Sequence, residues 1–171
     1  MVNRRKVVAV GDYCGKTYII QTFVKDELPE PQLTFVNFDV TDVEINGTVV
    51  ELHIWDTCEK ERFEASRIVA YKGANAFLIF FSIYGQQTFE NVKTKWVPEV
   101  RKHGPKNVPI VLVGTHCKEL TLRSEKGAVK NEDIEVMVRE VNAVAYVECS
   151  ADNKYNLEKV FETVVAATLE E

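Results

Sequence analysis

Short apolar runs that alternate with helix-like segments constrain the fold of this 171-residue chain more than any other feature. Residues 76–83 read AFLIFFSI and residues 109–113 read PIVLV, so neither run carries the polar positions of a strand with one face in water. Both runs therefore predict central strands that are covered on both faces. Such strands, separated by helices, predict an α/β fold in which a mostly parallel sheet lies between helices.

Polar and apolar residues alternate in residues 37–45 and 48–55, on either side of Asn46-Gly47. This pair is the strongest short-range signal for a β-hairpin, because both central residues of a type I′ turn need a positive φ. We therefore expect one antiparallel strand at an edge of the sheet. Further strands are predicted at residues 6–10 and 143–148, and helices at residues 16–25, 86–103 (interrupted by Pro98), 131–142 and 156–169.

The composition excludes several classes of protein. Lys and Arg total 21 and Asp and Glu total 26, and the resulting net charge of −5 argues against a nucleic-acid binder, which needs excess positive charge. The four cysteines form no C-x-x-C pair and the histidines do not cluster with them, which predicts a chain without a zinc site in a reducing compartment such as the cytoplasm. The longest apolar run falls far short of the ~20 residues that span a bilayer.

The sequence Gly11-Asp12-Tyr13-Cys14-Gly15-Lys16-Thr17 follows the first predicted strand and opens a helix. In a phosphate loop, backbone N–H groups at a helix N-terminus surround phosphate oxygens, the Lys reaches the phosphates and the Thr hydroxyl binds Mg²⁺. Four residues usually separate the two glycines, whereas three separate them here. The motif alone therefore allows two interpretations, a shortened phosphate loop or an ordinary strand-to-helix turn.

Asp56 follows the second predicted strand of the hairpin, in the sequence Trp55-Asp56-Thr57. A carboxylate at this end of a strand can hold Mg²⁺ through water, although an Asp after a strand is also a common helix cap. Parallel strands carry their ligand sites at their carboxyl ends. We therefore expect Asp56 to lie beside the phosphate loop, together with the residues that follow Val113 and Glu148.

Longer stretches carry a resemblance to a known family. Residues 89–99 (FENVKTKWVPE) are similar to Rho proteins nearly residue for residue, and residues 55–57 (WDT), 111–115 (VLVGT) and 146–151 (YVECSA) add to it. The chain thus resembles a small GTPase of the Ras superfamily, and within it the Rho family. The resemblance implies one P-loop-type G domain over residues 1–171, with a mostly parallel six-stranded sheet, one antiparallel edge strand and helices on both faces. The helical insert of Rho proteins is expected to be shortened or absent around residues 120–130.

The resemblance also implies roles for individual residues. Asp56 and Thr34 match the Mg²⁺-sensing residues of switch II and switch I, and with Thr17 they would hold Mg²⁺ if GTP or GDP is bound. Nucleotide contacts are implied for the phosphate loop, for switch I and for the two loops beside the base: Gly11, Asp12, Tyr13, Cys14, Gly15, Lys16, Thr17, Leu28, Thr34, His116, Lys118, Cys149, Ser150 and Ala151.

Four segments depart from the family pattern. The phosphate loop and switch I are each about one residue short, and Leu28 replaces the Phe that lies against the base. Where the family reads Asp-Thr-Ala-Gly-Gln-Glu, Glu59 adds a charge beside the phosphates and Lys60 replaces the Gln that orients the attacking water. Lys has no acceptor with which to hold that water, so no catalytic residue is assigned. Lys118 replaces the guanine-reading Asp and cannot accept its two hydrogen bonds, a loss of roughly 3–6 kcal/mol.

These departures predict a Rho-like signalling protein that is a pseudo-GTPase or a hydrolysis-impaired module. It would engage effector or regulator proteins through its switch-face surface, meaning the surface around Thr34 of switch I and Asp56 of switch II. The alternative is an atypical Rho GTPase that binds GTP with Mg²⁺ and hydrolyses it slowly as a molecular switch. Family analogy implies a cytoplasmic monomer in signalling to the cytoskeleton, with no nucleic-acid partner. Membrane association is expected only through a prenylated tail, and this sequence ends without a C-a-a-X box.

Overall fold

The computed structural model describes residues 2–26, 36–116 and 127–170. Within these ranges six strands form one sheet, with the spatial order β2-β3-β1-β4-β5-β6. The strands are β1 (Asn3–Gly11), β2 (Val36–Ile45), β3 (Thr48–Thr57), β4 (Ala76–Ser82), β5 (Ile110–Thr115) and β6 (Ala145–Cys149). β2 pairs with β3 in antiparallel fashion, and the other neighbours are parallel. The predicted mostly parallel sheet with one antiparallel edge strand is confirmed.

Helices cover both faces of this sheet, as the sequence predicts. They are α1 (Lys16–Lys25), α2 (Glu64–Ala70), α3 (Gln86–Asn91), α4 (Val97–His103), α5 (Asn131–Glu140) and α6 (Leu157–Leu169). On one face α1 packs against α6, where Phe23 stacks on Phe161 with ring centroids 4.0 Å apart. On the other face α3, α4 and α5 bury side chains that include Phe89, Val100 and Ile134.

The helical run at residues 86–103 is continuous but changes its winding in the middle. A π-helical turn at Val92–Trp96 joins α3 to α4. The expected interruption at Pro98 takes the form of this π turn, because Pro98 has no N–H for the carbonyl of Thr94 and its ring would clash with that carbonyl in a regular α-helix. The predicted helix at 131–142 and strand at 143–148 also shift, to the bounds given above, because the chain turns at Val141 and Asn142.

The hairpin turn and the buried strands follow the sequence signals closely. Asn46 and Gly47 take φ values of 49° and 79°, the positive values that the Asn-Gly pair predicts. All seven residues of β4 are buried, as the unbroken apolar run requires. The parallel register aligns the carboxyl ends of β1, β3, β4, β5 and β6 at one edge of the sheet. The described helices include none that is long and apolar enough to cross a membrane.

Candidate functional site

The loop between β1 and α1 needs both of its glycines for steric reasons. Gly11 has φ 146°, and a Cβ there would lie 2.4 Å from the carbonyl oxygen of Phe80. Gly15 is left-handed at φ 84° and is the residue from which α1 begins. Between them Tyr13 is half-exposed and Cys14 is buried. The backbone N–H groups at the start of α1 therefore open onto this loop, as a phosphate-binding turn requires.

Lys16, Thr17 and Asp56 meet at the carboxyl end of β3. The Nζ of Lys16 donates to Oδ1 of Asp56 and, at 2.5 Å, to the carbonyl oxygen of Thr57. The Thr17 hydroxyl donates to Oδ2 of Asp56 at 2.7 Å. Lys16 is 6% exposed and Asp56 is 3% exposed, so this is a buried ion pair with both carboxylate oxygens in use. The expectation that Asp56 lies beside the phosphate loop is confirmed.

The chemistry of this donor set suits a magnesium-bound phosphate. Lys16 supplies a cation at a helix N-terminus, which is where phosphate groups bind. The Thr17 hydroxyl and the Asp56 carboxylate are hard oxygen ligands of the kind that Mg²⁺ prefers. The residues present therefore fit both groups, and of the three expected Mg²⁺ ligands only Thr34 lies outside the described residues.

The residues expected beside a base come from the ends of β5 and β6. The His116 backbone N–H donates to the carbonyl oxygen of Cys149 at 3.1 Å, which joins the two loops. The His116 imidazole is held through Nε2 by Oε1 of Glu148 and meets the ring of Tyr84 edge-on, with centroids 5.9 Å apart. Ser150 donates its N–H to Tyr155, which shapes the loop that continues through Ala151. Leu28 and Lys118 lie outside the described residues.

Asp12 makes contacts that the sequence did not reveal. Its Oδ2 accepts a hydrogen bond from Nδ2 of Asn91 at 2.5 Å, and its Oδ1 accepts one from the indole N–H of Trp96 at 3.2 Å. Trp96 is fully buried, so its predicted place in the core is confirmed. The resemblance pointed to residues 89–99 as a family signature, but their contact with the phosphate loop depends on tertiary packing.

The segment that follows β3, residues 58–70, is held by Arg67. This fully buried guanidinium donates through Nη1 to the carbonyl oxygens of Cys58 (3.0 Å) and Lys60 (2.8 Å). Its Nε and Nη2 donate to the Glu99 carboxylate at 3.2 and 2.9 Å. The Glu59 side chain is half-buried and that of Lys60 is exposed. Arg67 was missed because α2 has no helical hydrophobic pattern.

An exposed patch, called here the aromatic patch, lies on the outer strands β2 and β3. It consists of Phe38, Val40 and Trp55, and Phe38 pairs with Trp55 in the β2–β3 register. The Phe38 ring lies 5.1 Å from Trp55 and 5.3 Å from His53, yet 49% of Phe38 and 46% of Val40 remain exposed. Two apolar side chains left this open beside an aromatic ring favour a contact surface for another protein.

Comparisons with known proteins agree with this geometry. Residues 6–170 match the sequence model of the Ras family. The chain is 38% identical over 178 residues to human (Homo sapiens) "Rho-related GTP-binding protein RhoB", a match that covers 98% of this chain and 90% of that protein. The proteins of the same name from Mus musculus and Rattus norvegicus match to the same extent.

Proposed function

The chain belongs to the Ras family of small GTPases, as a Rho-like signalling module, and we propose that it signals with GTP hydrolysis lost or very weak. In this proposal it binds nucleotide weakly and acts by engaging effector or regulator proteins through its switch-face surface. The observation that carries the proposal is the identity of Glu59 and Lys60, which lie three and four residues after the buried Asp56.

Lys60 is unsuited to the task of orienting a water for attack on a phosphate. Its ammonium group has three donors and no acceptor, so it cannot accept a hydrogen bond from the attacking water. Its backbone is fixed by Arg67, and its side chain is exposed. Glu59 adds a carboxylate in the same segment, near the place where a polyphosphate would lie. Both substitutions act against hydrolysis, because Lys60 would not orient the water and the Glu59 carboxylate would repel the phosphate charge.

The residues that face phosphate support nucleotide binding, and those that face the base weaken it. Lys16, Thr17 and Asp56 would hold a phosphate and Mg²⁺, and the metal would supply neutralisation of phosphate charge. Lys118 stands in the sequence where an Asp would read guanine. Two lost charge-assisted hydrogen bonds, roughly 3–6 kcal/mol, weaken affinity by about two to four decades.

Nucleotide content and a thermal melt test the binding part of the proposal. Protein is denatured and assayed for released guanine nucleotide, and melts are recorded with and without GTP and Mg²⁺. Ligand at 100 times its Kd stabilises by ~2.7 kcal/mol, or roughly 5–10 °C for a domain of this size. We expect no retained nucleotide and a shift only at high GTP concentration. Tightly retained GTP would contradict weak binding.

Single-turnover hydrolysis tests the catalytic part. We expect a rate below the family's intrinsic value, which is on the order of 10⁻⁴ s⁻¹. The variant that combines Glu59→Gly with Lys60→Gln should hydrolyse GTP faster than the unmodified protein. Lys93→Gln is the matched control, because Lys93 is an exposed lysine that pairs with Glu140 away from the site. Hydrolysis at the family rate by the unmodified protein would refute the proposal.

The working switch remains a second candidate function because of one specific observation. Lys16, Thr17 and Asp56 all keep the residue types and the mutual contacts that phosphate and Mg²⁺ require. A Mg²⁺-dependent GTPase rate, with a melt shift for GTP and none for ATP, would favour this candidate.

The aromatic patch supports the partner-binding part. Phe38→Ser and Val40→Ser should abolish binding of a purified partner, whereas Val49→Ser should not. Val49 is the matched control because it is 54% exposed at the hairpin end of β3. Partner binding that survives both patch substitutions would refute the assignment of this surface.

A further inference from the structure

Trp96 lies between the phosphate loop and the segment that follows β3. Its indole N–H donates to Asp12 of the phosphate loop. The guanidinium carbon of Arg67 lies 5.1 Å from the centre of its ring, within the range of a cation–π contact. Asp12 and Arg67 therefore contact the same buried side chain, and Trp96 is in a position to transmit a change from one to the other.

The π turn explains how one carboxylate reaches two side chains of the same helix. Asn91 and Trp96 are five residues apart, which in an α-helix would place them about 140° apart around the axis. The i→i+5 spacing of a π turn brings such residues toward one face, and Val92–Trp96 has this conformation. The two hydrogen bonds to Asp12 thus fit the π turn, which Pro98 also favours because its ring would clash with the Thr94 carbonyl in a regular α-helix.

The far side of the same turn is tied to residues 58–70. Arg67 is anchored by Glu99, three residues beyond Trp96, and holds the carbonyl oxygens of Cys58 and Lys60. Lys95 adds a second connection, since its ammonium lies 4.5 Å from the Trp96 ring centre and 2.6 Å from Glu61. A shift of the Trp96 ring would therefore move Arg67 and Lys95, which hold residues 58–67.

We propose that Trp96 is a positioning residue that couples the phosphate loop to residues 58–67 through its contacts with Asp12 and Arg67. The two arrangements are those of the Trp96 indole: held by the Asp12 carboxylate, as in the structure, or released from it and free to shift against Arg67. Arg67 then holds the carbonyl oxygens of Cys58 and Lys60 less firmly. This coupling goes beyond the proposed function, because it belongs to the chain itself and is independent of a bound nucleotide.

Amide hydrogen exchange at Phe63 tests the coupling from the phosphate-loop side. The Phe63 N–H donates to the carbonyl oxygen of Lys60 at 3.0 Å, so its exchange reports the order of this segment. Asp12→Asn should accelerate that exchange by about two- to thirty-fold, the range of long-range coupling. In a Trp96→Phe background the same substitution should add nothing. Asp39→Asn is the matched control, because Asp39 is bonded to Gln21 on the opposite side.

A reciprocal measurement uses the indole N–H resonance of Trp96 in the variant Trp55→Phe, which leaves one Trp in the chain. Glu61→Gln breaks the ion pair of Lys95 and should shift this resonance. Glu140→Gln breaks the 2.8 Å ion pair of Lys93, on the same π turn, and should leave it in place. This resonance measurement does not use the Trp96→Phe variant, so it can be made even if that variant does not fold. Unchanged Phe63 exchange in Asp12→Asn would overturn the proposal, as would an unmoved indole resonance in Glu61→Gln.

Discussion

Replacing Lys16 with Met removes the cation of a buried ion pair and leaves the Asp56 carboxylate without its charged partner. Asp56 is 3% exposed, so water cannot take the place of the ammonium. The hydrogen bond from Thr17 remains, but it does not neutralise the charge. Breaking one side of a buried pair costs about 3–5 kcal/mol. For a domain of this length that corresponds to a fall in Tm of roughly 6–20 °C.

The double variant Lys16→Met/Asp56→Leu separates pairing from packing. Replacement of a whole buried pair by apolar residues is often close to neutral. The double variant should therefore be more stable than Lys16→Met alone. Stability is measured by urea unfolding of nucleotide-stripped protein without Mg²⁺, with the free energy extrapolated to water. Lys93→Met is the control, since an exposed pair contributes only ~0–1 kcal/mol. If the double variant loses as much stability as Lys16→Met and Asp56→Leu lose together, the reasoning is refuted.

Two further predictions concern backbone fit and pH. Gly11→Ala should destabilise the fold by more than about 1 kcal/mol in urea unfolding, because its Cβ would lie 2.4 Å from the Phe80 carbonyl oxygen at φ 146°; unchanged stability would contradict this. Burial, and then the charge of Glu148, raises the pKa of Cys149 from 9.0 to about 12. The unfolded thiol ionises first as the pH rises above 9, so stability should fall between pH 9 and 12, and by less in Cys149→Ala; an equal fall in that variant would contradict the assignment.

Local patterns were enough to predict most of the sheet. The apolar run of β4 and the Asn46-Gly47 turn each depend on neighbours in the chain, and both are confirmed. The sequence did not predict α2, because its fixed point is the buried Arg67, which is held by Glu99 from a distant helix. The contacts of the π turn were missed for the same reason, since Asp12 lies 84 residues before the Trp96 that it binds.

The candidate site divides in the same way. The phosphate loop and Asp56 were placed correctly, because strand ends in a parallel sheet converge by topology. The pairing of His116 with Glu148 was not foreseen, because it depends on the distance between the side chains of two neighbouring strands. At this position the sequence gives only the residue type, and the structure adds the side chain that His116 contacts.

The two indole rings of the chain sit in opposite surroundings. Trp55 lies against half-exposed Phe38, with the Lys6 ammonium 4.4 Å from its ring centre, while Trp96 is sealed in the interior. A small aqueous quencher such as acrylamide should therefore dim the emission of Trp55 and spare that of Trp96. In the unmodified protein, quenching of the Trp55 emission therefore reports whether β2 and β3 are covered, since a molecule that covers Phe38 would also shield Trp55 from the quencher.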